Sequence, residues 1–260
     1  MIRVQNLTFS YTKKPFIENT GFEVQPGEIF GFLGPSGAGK STLQKILTGL
    51  LIGFQGDVIV NGQAVGRHTQ RFYESIGVDF EFPSLYEKLT ARENLRFFAS
   101  LYPKCRDADA MLSSVGLLGD ADKRVSDFSK GMKSRLNFVK ALQHDPKVLF
   151  LDEPTSGLDP SNARVLKDLI LQEKSDGKTI ILTTHNMYDA TELCDRVAFI
   201  VDGKIRALDT PRNLIMRRGA SAIRYAYLEG GKEVARKVPL RKTAEDETLL
   251  QLIRENRIAS

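Results

Sequence analysis

The sequence of residues 34–41 is Gly34-Pro35-Ser36-Gly37-Ala38-Gly39-Lys40-Ser41. Its order of glycine, four residues, glycine, lysine and serine matches the P-loop pattern, and it lies between the apolar residues 28–33 and the helix-like residues 41–48. Glycines allow backbone N–H groups to turn toward an anion, and the first turn of the following helix adds the positive end of its dipole. The segment therefore predicts a binding site for nucleotide phosphates.

Three side chains at the end of this segment have predicted roles of their own. Lys40 is placed to reach the β- and γ-phosphates of a nucleotide, the Ser41 hydroxyl to bind Mg²⁺, and Thr42 to donate to a phosphate oxygen. A glycine turn without a ligand is the alternative interpretation. Lysine and serine at the two required positions favour the phosphate site.

An acidic pair, Asp152-Glu153, follows the apolar residues 148–151. Asp152 is predicted to hold Mg²⁺ through water, while Glu153, free of the metal, is placed to orient or deprotonate the attacking water. Two carboxylates that merely cap a helix are the alternative. Together with the P-loop, the pair predicts hydrolysis of the bound nucleotide.

The composition is that of a folded globular protein. The chain has 260 residues, of which 42% are hydrophobic and 27% charged, and this balance excludes disordered, collagen-like and coiled-coil classes. The two cysteines, Cys105 and Cys194, form no disulfide framework or zinc-ligand spacing. The apolar run 197–201 is too short to cross a bilayer and no signal segment opens the chain, so a cytosolic protein is predicted.

The formal net charge of +5 is concentrated near the C-terminus. Residues 217–260 hold ten Lys or Arg and six Asp or Glu, so the rest of the chain is almost neutral. An excess of positive charge indicates a nucleic-acid or anionic membrane partner. Here any such partner would be expected to contact residues 217–260.

The pattern along the chain predicts an α/β protein. Alternating apolar residues in the first thirty positions indicate antiparallel strands, and residues 76–143 have helical character, with a capping box formed by Thr90 and Glu93. Residues 148–151 and 179–182 are apolar throughout, as in a parallel sheet covered on both faces, with helices at about 161–175 and 187–193. Residues 219–260 form a predicted β-hairpin, turning at Gly230-Gly231, and a last helix.

Three further segments resemble motifs of the ABC-type ATPases. Phe128-Ser129-Lys130-Gly131-Met132 resembles their signature motif, residues 155–159 resemble the D-loop, and His185, after an apolar strand, resembles the switch histidine. The likeness covers about residues 1–216. It implies an α/β fold with a P-loop NTPase (ABC ATPase) core, an antiparallel β subdomain and an inserted helical subdomain at about 76–143. These form one nucleotide-binding domain over residues 1–218, followed by the small extension 219–260.

The same resemblance implies a head-to-tail dimer around two ATP, with a second copy or a homologous ATPase subunit as the partner. Ser129 and the backbone N–H of Gly131 are then expected to meet the γ-phosphate on the other subunit's P-loop, and Asp159 to cross the interface. His185 is expected to contact the γ-phosphate and the attacking water. Tyr11 matches the position of an adenine-stacking aromatic, with simple surface cover as the alternative; His68 and His144 are interpreted as ordinary surface or core residues.

The sequence departs from the family at two positions. Glu81 stands where glutamine is usual in the Q-loop; it keeps an oxygen for Mg²⁺ and loses the amide donor, and Phe82 marks the alternative register. Lys130 stands where glycine is usual. It either contacts the γ-phosphate of the partner's ATP or points to solvent or the transporter side.

The resemblance implies an ATPase that drives a separate integral membrane permease from the cytoplasmic face of the membrane. Residues 82–95 resemble bacterial exporters of drugs, antibiotics or lipids, so export is the expected direction. A soluble ABC protein on ribosomes or DNA is the alternative, but the single cassette without a coiled-coil insert favours transport, and no direct nucleic-acid contact is expected. The basic extension is either a regulatory, dimerising or permease-facing element, or simply a solvated face.

Overall fold

A computed structural model describes residues 1–67, 69–81, 84–218, 222–229, 232–239 and 246–254. Its strands are β1 (Ile2–Phe9), β2 (Ile17–Val24), β3 (Ile29–Leu33), β4 (Gln55–Val60), β5 (Gln63–Ala64), β6 (Ile76–Asp79), β7 (Val148–Asp152), β8 (Thr179–Thr184), β9 (Arg196–Val201), β10 (Lys204–Asp209), β11 (Ala222–Glu229) and β12 (Lys232–Pro239). Its α-helices are α1 (Lys40–Leu47), α2 (Gln70–Ser75), α3 (Ala91–Ala99), α4 (Ala108–Ser114), α5 (Lys130–Leu142), α6 (Pro160–Ser175), α7 (Met187–Leu193), α8 (Pro211–Arg218) and α9 (Glu247–Arg254).

Two sheets form the first of two compact units, Met1–Pro211. The central sheet has the order β10-β9-β3-β8-β7-β6, in which all pairs are parallel except β9 with β10. Every residue of β3 and β8 is buried, which explains why these strands have no polar face. The other sheet has the order β2-β1-β4-β5 and is antiparallel, as the alternation in the first thirty residues predicts.

The two sheets share one hydrophobic core. Phe22 of β2 stacks on Phe30 of β3 with 5.6 Å between ring centroids and meets Phe32 edge to face at 5.4 Å. Both β3 rings are fully buried, so each contributes about 1.5–3 kcal/mol of burial free energy. This packing fixes the end of β3, from which the phosphate loop begins.

Helices α3, α4 and α5 lie between β6 and β7 in the chain. Thr90 and Glu93 form the predicted capping box at the start of α3. The prediction placed residues from 76 onward in the helical segment; Ile76–Asp79 is instead β6, which pairs with β7 in the central sheet. The four-residue strand is too short to be separated from a helical segment by periodicity.

The second compact unit is Arg212–Ser260. Strands β11 and β12 pair in an antiparallel register from Ala222–Pro239 to Glu229–Lys232. A small core of its own joins the hairpin to α9; its buried members are Tyr225, Tyr227, Val238, Leu249 and Leu252. The predicted turn residues Gly230 and Gly231 lie outside the described residues. Among the helices that the structure describes, none has both the length and the apolar character needed to span a membrane.

Candidate functional site: a phosphate loop facing an acidic strand end

The phosphate loop connects the end of β3 to the start of α1. Gly34 has φ of +155°, and a Cβ at this position would lie 2.2 Å from the carbonyl oxygen of Ile200. Only glycine therefore fits where the loop passes β9. The loop is held on that side, because the Gly203 N–H donates to the Ala38 carbonyl at 2.9 Å.

Lys40 is buried at the first position of α1. Its ammonium group donates to the carbonyl oxygens of Gly34 at 2.9 Å and Pro35 at 3.1 Å, and it lies 3.9 Å from Oε1 of Glu153. A buried ammonium needs such partners. The side chain therefore places a positive charge between the loop and the acidic end of β7.

A cavity of about 470 Å³ opens over this loop. It is lined by residues from five separate parts of the chain: Phe16, Pro35, Ser36, Gly37, Gly39, Lys40, Ser41, Thr42, Glu81, Glu153 and His185. Most of the predicted phosphate-site residues thus face one space, together with the proposed base and the switch histidine.

Asp152 is the last residue of β7 and Glu153 follows it directly, so the acidic pair lies at the carboxyl end of an apolar strand, as the sequence predicts. Ser41 donates to Oδ1 of Asp152 at 3.3 Å, and the hydroxyl of Thr183 donates to the same oxygen. A hydroxyl beside a carboxylate is a donor set that fits Mg²⁺ together with substrate phosphate oxygens. Glu81 lines the same cavity, while Phe82, the alternative register, lies outside the described residues.

Glu153 is held in a fixed geometry beside its neighbours. Its φ is +50°, an unusual value for a residue other than glycine, and its backbone N–H donates to the Thr183 carbonyl at 3.1 Å. Nδ1 of His185 donates to Oε2 of Glu153 at 2.9 Å, because an ionised carboxylate can only accept. Strain at such a position is typical of functional sites.

Tyr11 lies in the turn after β1, with 57% of its surface exposed. Its hydroxyl is hydrogen-bonded to Oγ1 of Thr42 at 3.0 Å, and its ring contacts Phe9 edge to face at 4.8 Å and Phe16 at 5.6 Å. Phe16 itself lines the phosphate cavity, a residue that the sequence analysis did not select. An aromatic residue in the same polar turn as Tyr11 was the signal that could have found it.

The signature segment forms the start of α5. Ser129 is the N-cap and accepts from the Met132 N–H at 3.3 Å. Gly131 is buried, and a Cβ there would lie 2.8 Å from the side chain of Asn162. Asp159 caps α6, where it accepts from the Asn162 side-chain amide at 2.5 Å and from the Asn162 backbone N–H at 3.1 Å, and these hydrogen bonds lower the pKa of Asp159.

Lys130 is exposed at the start of α5, in agreement with its predicted placement toward solvent, and its contact with the γ-phosphate of a partner's ATP stays a prediction. Its ammonium lies against the D-loop of its own chain, where a Cβ on Gly157 would be 2.2 Å from Nζ. Ser129, Gly131 and Asp159 are likewise absent from the described lining of the phosphate cavity. Within one chain, then, the structure separates the signature motif from the phosphate loop.

A second cavity of about 230 Å³ joins Glu81 to the acidic pair and to α5. Asp79 is buried on its wall, accepts a hydrogen bond from Asn137 and has its pKa raised to about 7 by burial. Burial likewise lowers the pKa of Lys140 to about 8, although this ammonium donates to the Ser84 hydroxyl at 2.9 Å. The sequence analysis did not identify this pair, because a lone Asp after a strand carries no motif.

His144 has the ordinary packing role that the sequence predicts for it. His144 donates through Nε2 to the Ile76 carbonyl at 2.8 Å and stacks on Tyr102 at 4.0 Å, which is a packing role. His68 lies outside the described residues.

A glycine-rich loop between a parallel strand and a helix, facing a strand that ends in Asp-Glu, defines a P-loop nucleoside triphosphatase. The protein-family model described as ABC transporter matches residues 17–156. The chain belongs to the ABC transporter family, and within it is an ATP-binding ATPase subunit.

Individual relatives agree with this assignment. The fluoroquinolones export ATP-binding protein of Mycobacterium tuberculosis strain H37Rv is 52% identical over 240 residues, which cover 90% of this chain and 80% of the relative. The linearmycin resistance ATP-binding protein LnrL of Bacillus subtilis is 36% identical, covering 90% of this chain and 76% of the relative.

Solved structures confirm the predicted fold class. An ATP-binding subunit of an ABC transporter superposes with a TM-score of 0.76 at 30% identity, covering 84% of this chain and 93% of the other. A dimeric ATP-binding cassette in a post-hydrolysis state, bound to ADP and Pi, has a TM-score of 0.73 at 24% identity, covering 82% and 99%, and supports the fold alone.

Proposed function

We propose that this chain binds ATP with Mg²⁺, hydrolyses it within a head-to-tail dimer, and drives a separate integral membrane permease that exports a small molecule. The observation that carries the proposal is the cavity that brings the phosphate loop, Glu153 and His185 together. The relatives named for fluoroquinolone export and linearmycin resistance support the direction of transport.

The phosphate loop binds the ATP phosphates through backbone N–H groups, the start of α1 and Lys40. Thr42 donates to a phosphate oxygen, and Tyr11, whose hydroxyl Thr42 binds, stacks on adenine. Phe16 contacts both the Tyr11 ring and the cavity, so it supports the base from the loop side.

Ser41 and Asp152 would hold Mg²⁺, with Glu81 contributing an oxygen from the Q-loop. When bound, the ion neutralises charge on the phosphate oxygens and on the departing ADP. The chain's own contribution is to fix the two ligands, since Thr183 orients the carboxylate of Asp152.

Glu153 accepts a proton from water as the water oxygen forms a bond to the γ-phosphorus, and the bond from that phosphorus to the ADP oxygen breaks. His185 keeps one carboxylate oxygen in place by its hydrogen bond, so the other oxygen is free to face the water. Lys40, near that second oxygen, stabilises the charge that accumulates on the phosphate.

The second half of each site comes from another subunit, either a second copy or a homologous ATPase. Ser129 and the Gly131 N–H lie at the N-terminus of α5, whose dipole favours an anion, and they are not in the described lining of their own phosphate cavity. They therefore serve the partner's ATP, and Asp159 of the D-loop positions the partner's site.

ATP-driven closure of the dimer moves the permease through the groove beside Glu81 and the helical segment α3–α5, on the cytoplasmic face of the membrane. Residues 1–218 form the nucleotide-binding domain, and residues 219–260 add a regulatory, dimerising or permease-facing element.

Co-purification from membranes tests this function. The chain should be recovered from its native membranes bound to an integral membrane protein, and the two expressed together should give ATP-dependent fluoroquinolone uptake into inverted vesicles. Lys40→Ala is the control that should keep membrane association and abolish uptake. Recovery of the chain without any membrane protein would contradict the proposal.

A further inference from the structure

Two short segments that follow neighbouring parallel strands carry the hydrolytic groups. Glu153 follows β7, and His185 follows β8. Beyond their hydrogen bond, a second contact joins the same two segments: Oγ1 of Thr155 donates to Oδ2 of Asp189 at 2.5 Å. Two links thus connect the start of the D-loop to the segment that leads into α7.

Asp189 is an unusual acceptor because it is only 5% exposed. Its other oxygen, Oδ1, receives the ammonium of Lys167 from α6 at 2.6 Å. Both carboxylate oxygens are therefore occupied, and hydrogen bonds to an ionised acceptor are the stronger ones. A buried carboxylate held in this way gives the Thr155 hydroxyl a fixed partner rather than a mobile one.

The local backbone passes this constraint to the hydrolytic pair. Thr155 lies two residues after Glu153, and the intervening Pro154 has a restricted φ. Asp189 lies in the first turn of α7, which Asn186 caps by accepting from the Tyr188 N–H at 2.9 Å. Because the contact with Asp189 fixes the distance of Thr155 from α7, it also limits the distance between Glu153 and His185.

We infer that Thr155 and Asp189 are positioning residues for ATP hydrolysis. Their contact holds the D-loop start against α7, so that Nδ1 of His185 stays within hydrogen-bond distance of Glu153. The inference rests on the proposed roles of Glu153 and His185, and it adds a residue pair that is not in the described lining of the phosphate cavity.

Kinetics of Thr155 variants test the inference. Thr155→Val removes the hydroxyl with little change in shape; we expect kcat to fall about 10-fold or more while KM for ATP changes less than about 2-fold. Thr155→Ser keeps the hydroxyl and should restore most of kcat. Arg164→Gln is the matched control, because it breaks the exposed Arg164–Glu192 ion pair between α6 and α7 and should leave kcat unchanged.

A double-mutant cycle separates positioning from general loosening. In a His185→Ala background, Thr155→Val should lower kcat by less than about 2-fold, because the group it positions is gone. Two independent, multiplying losses would overturn the inference, and so would a normal kcat for Thr155→Val. If that variant does not fold, Thr155→Ala applies the same test. The roles of Glu153 and His185 fail separately, if Glu153→Gln or His185→Ala alone retains full turnover.

Discussion

Nδ1 of His185 lies 2.9 Å from Oε2 of Glu153. The two residues are 32 positions apart in the chain and belong to segments that follow adjacent parallel strands, β7 and β8. The carboxylate proposed as the base is thereby held by a ring on one side, with the ammonium of Lys40 near its other oxygen. This arrangement leads to the first two predictions.

Glu153→Gln should keep ATP binding and abolish turnover, because the amide cannot accept the proton from water. We expect kcat to fall by about 10²-fold or more, the contribution typical of a general base. ATP should then trap the dimer, visible by size-exclusion chromatography. A variant that stays monomeric with ATP, or hydrolyses it at the normal rate, contradicts the role of Glu153.

His185→Ala should also lower kcat, by roughly 10-fold or more, since Glu153 loses the hydrogen bond that orients it. Nucleotide affinity, measured with a fluorescent ATP analogue, should change little. His144→Gln is the matched control: His144 packs against Tyr102 and donates to the Ile76 carbonyl beside the start of β7, whereas the acidic pair lies at the other end of that strand. Its loss should lower the melting temperature and leave kcat intact. If His185→Ala and His144→Gln lowered kcat equally, the specific role of His185 in orienting Glu153 would be contradicted.

Tyr11→Ala should raise KM for ATP more than Tyr11→Phe does. The alanine variant loses base stacking, worth about 1–3 kcal/mol or roughly 5- to 150-fold, whereas phenylalanine keeps the ring and loses only the hydrogen bond to Thr42. The measurement is steady-state ATPase activity against ATP concentration. Indistinguishable KM values for wild type and Tyr11→Ala would show that Tyr11 only covers the protein surface and does not stack on adenine.

Gly34→Ala should destabilise the protein more than Gly37→Ala. Both positions have positive φ, but a Cβ on Gly34 meets the Ile200 carbonyl at 2.2 Å, whereas one on Gly37 meets no atom within 4 Å. Overpacking of this kind costs typically about 1–3 kcal/mol beyond the backbone strain. Urea unfolding of the two variants, side by side with wild type, checks the order; a reversed order would be inconsistent with the close approach of loop and β9.

Asp79→Asn should remove a pH dependence of stability. Burial raises the pKa of Asp79 from 3.8 to about 7, so between about pH 4 and 7 the folded state keeps a proton that the unfolded state has released. The free energy of unfolding therefore decreases as the pH rises through this window, and Asp79→Asn should flatten that decrease.

Urea midpoints measured from pH 2 to 7.5 provide the test for Asp79 and include the range in which Asp145 titrates. Asp145→Asn is the comparison of opposite sign, because Lys178 holds the pKa of Asp145 down at about 2. The contribution of Asp145 to the free energy of unfolding is present above about pH 4 and is lost as the pH falls below that. A wild-type slope that survives Asp79→Asn would assign the pH dependence to other groups.

Sequence reasoning succeeded where a function needs fixed residue types at fixed spacing. The P-loop, Asp152-Glu153 and His185 were predicted to act together, and the structure brings Lys40, Ser41, Glu153 and His185 to one cavity. It did not select residues that belong to no motif, such as Phe16, which lines the cavity from the turn after β1. It also assigned β6 to the helical segment, since four residues are too few to reveal a period.

The amino-acid sequence determined the class of the protein, because phosphate binding and hydrolysis require glycines, a lysine, a hydroxyl and carboxylates in one order. Only the tertiary structure decided which of these groups meet. Lys130 turns to Gly157 of its own chain, Thr155 reaches Asp189, and Asp79 is buried beside Lys140. The physical reason is that such contacts depend on how strands and helices pack, and packing joins residues whose separation along the chain carries no pattern.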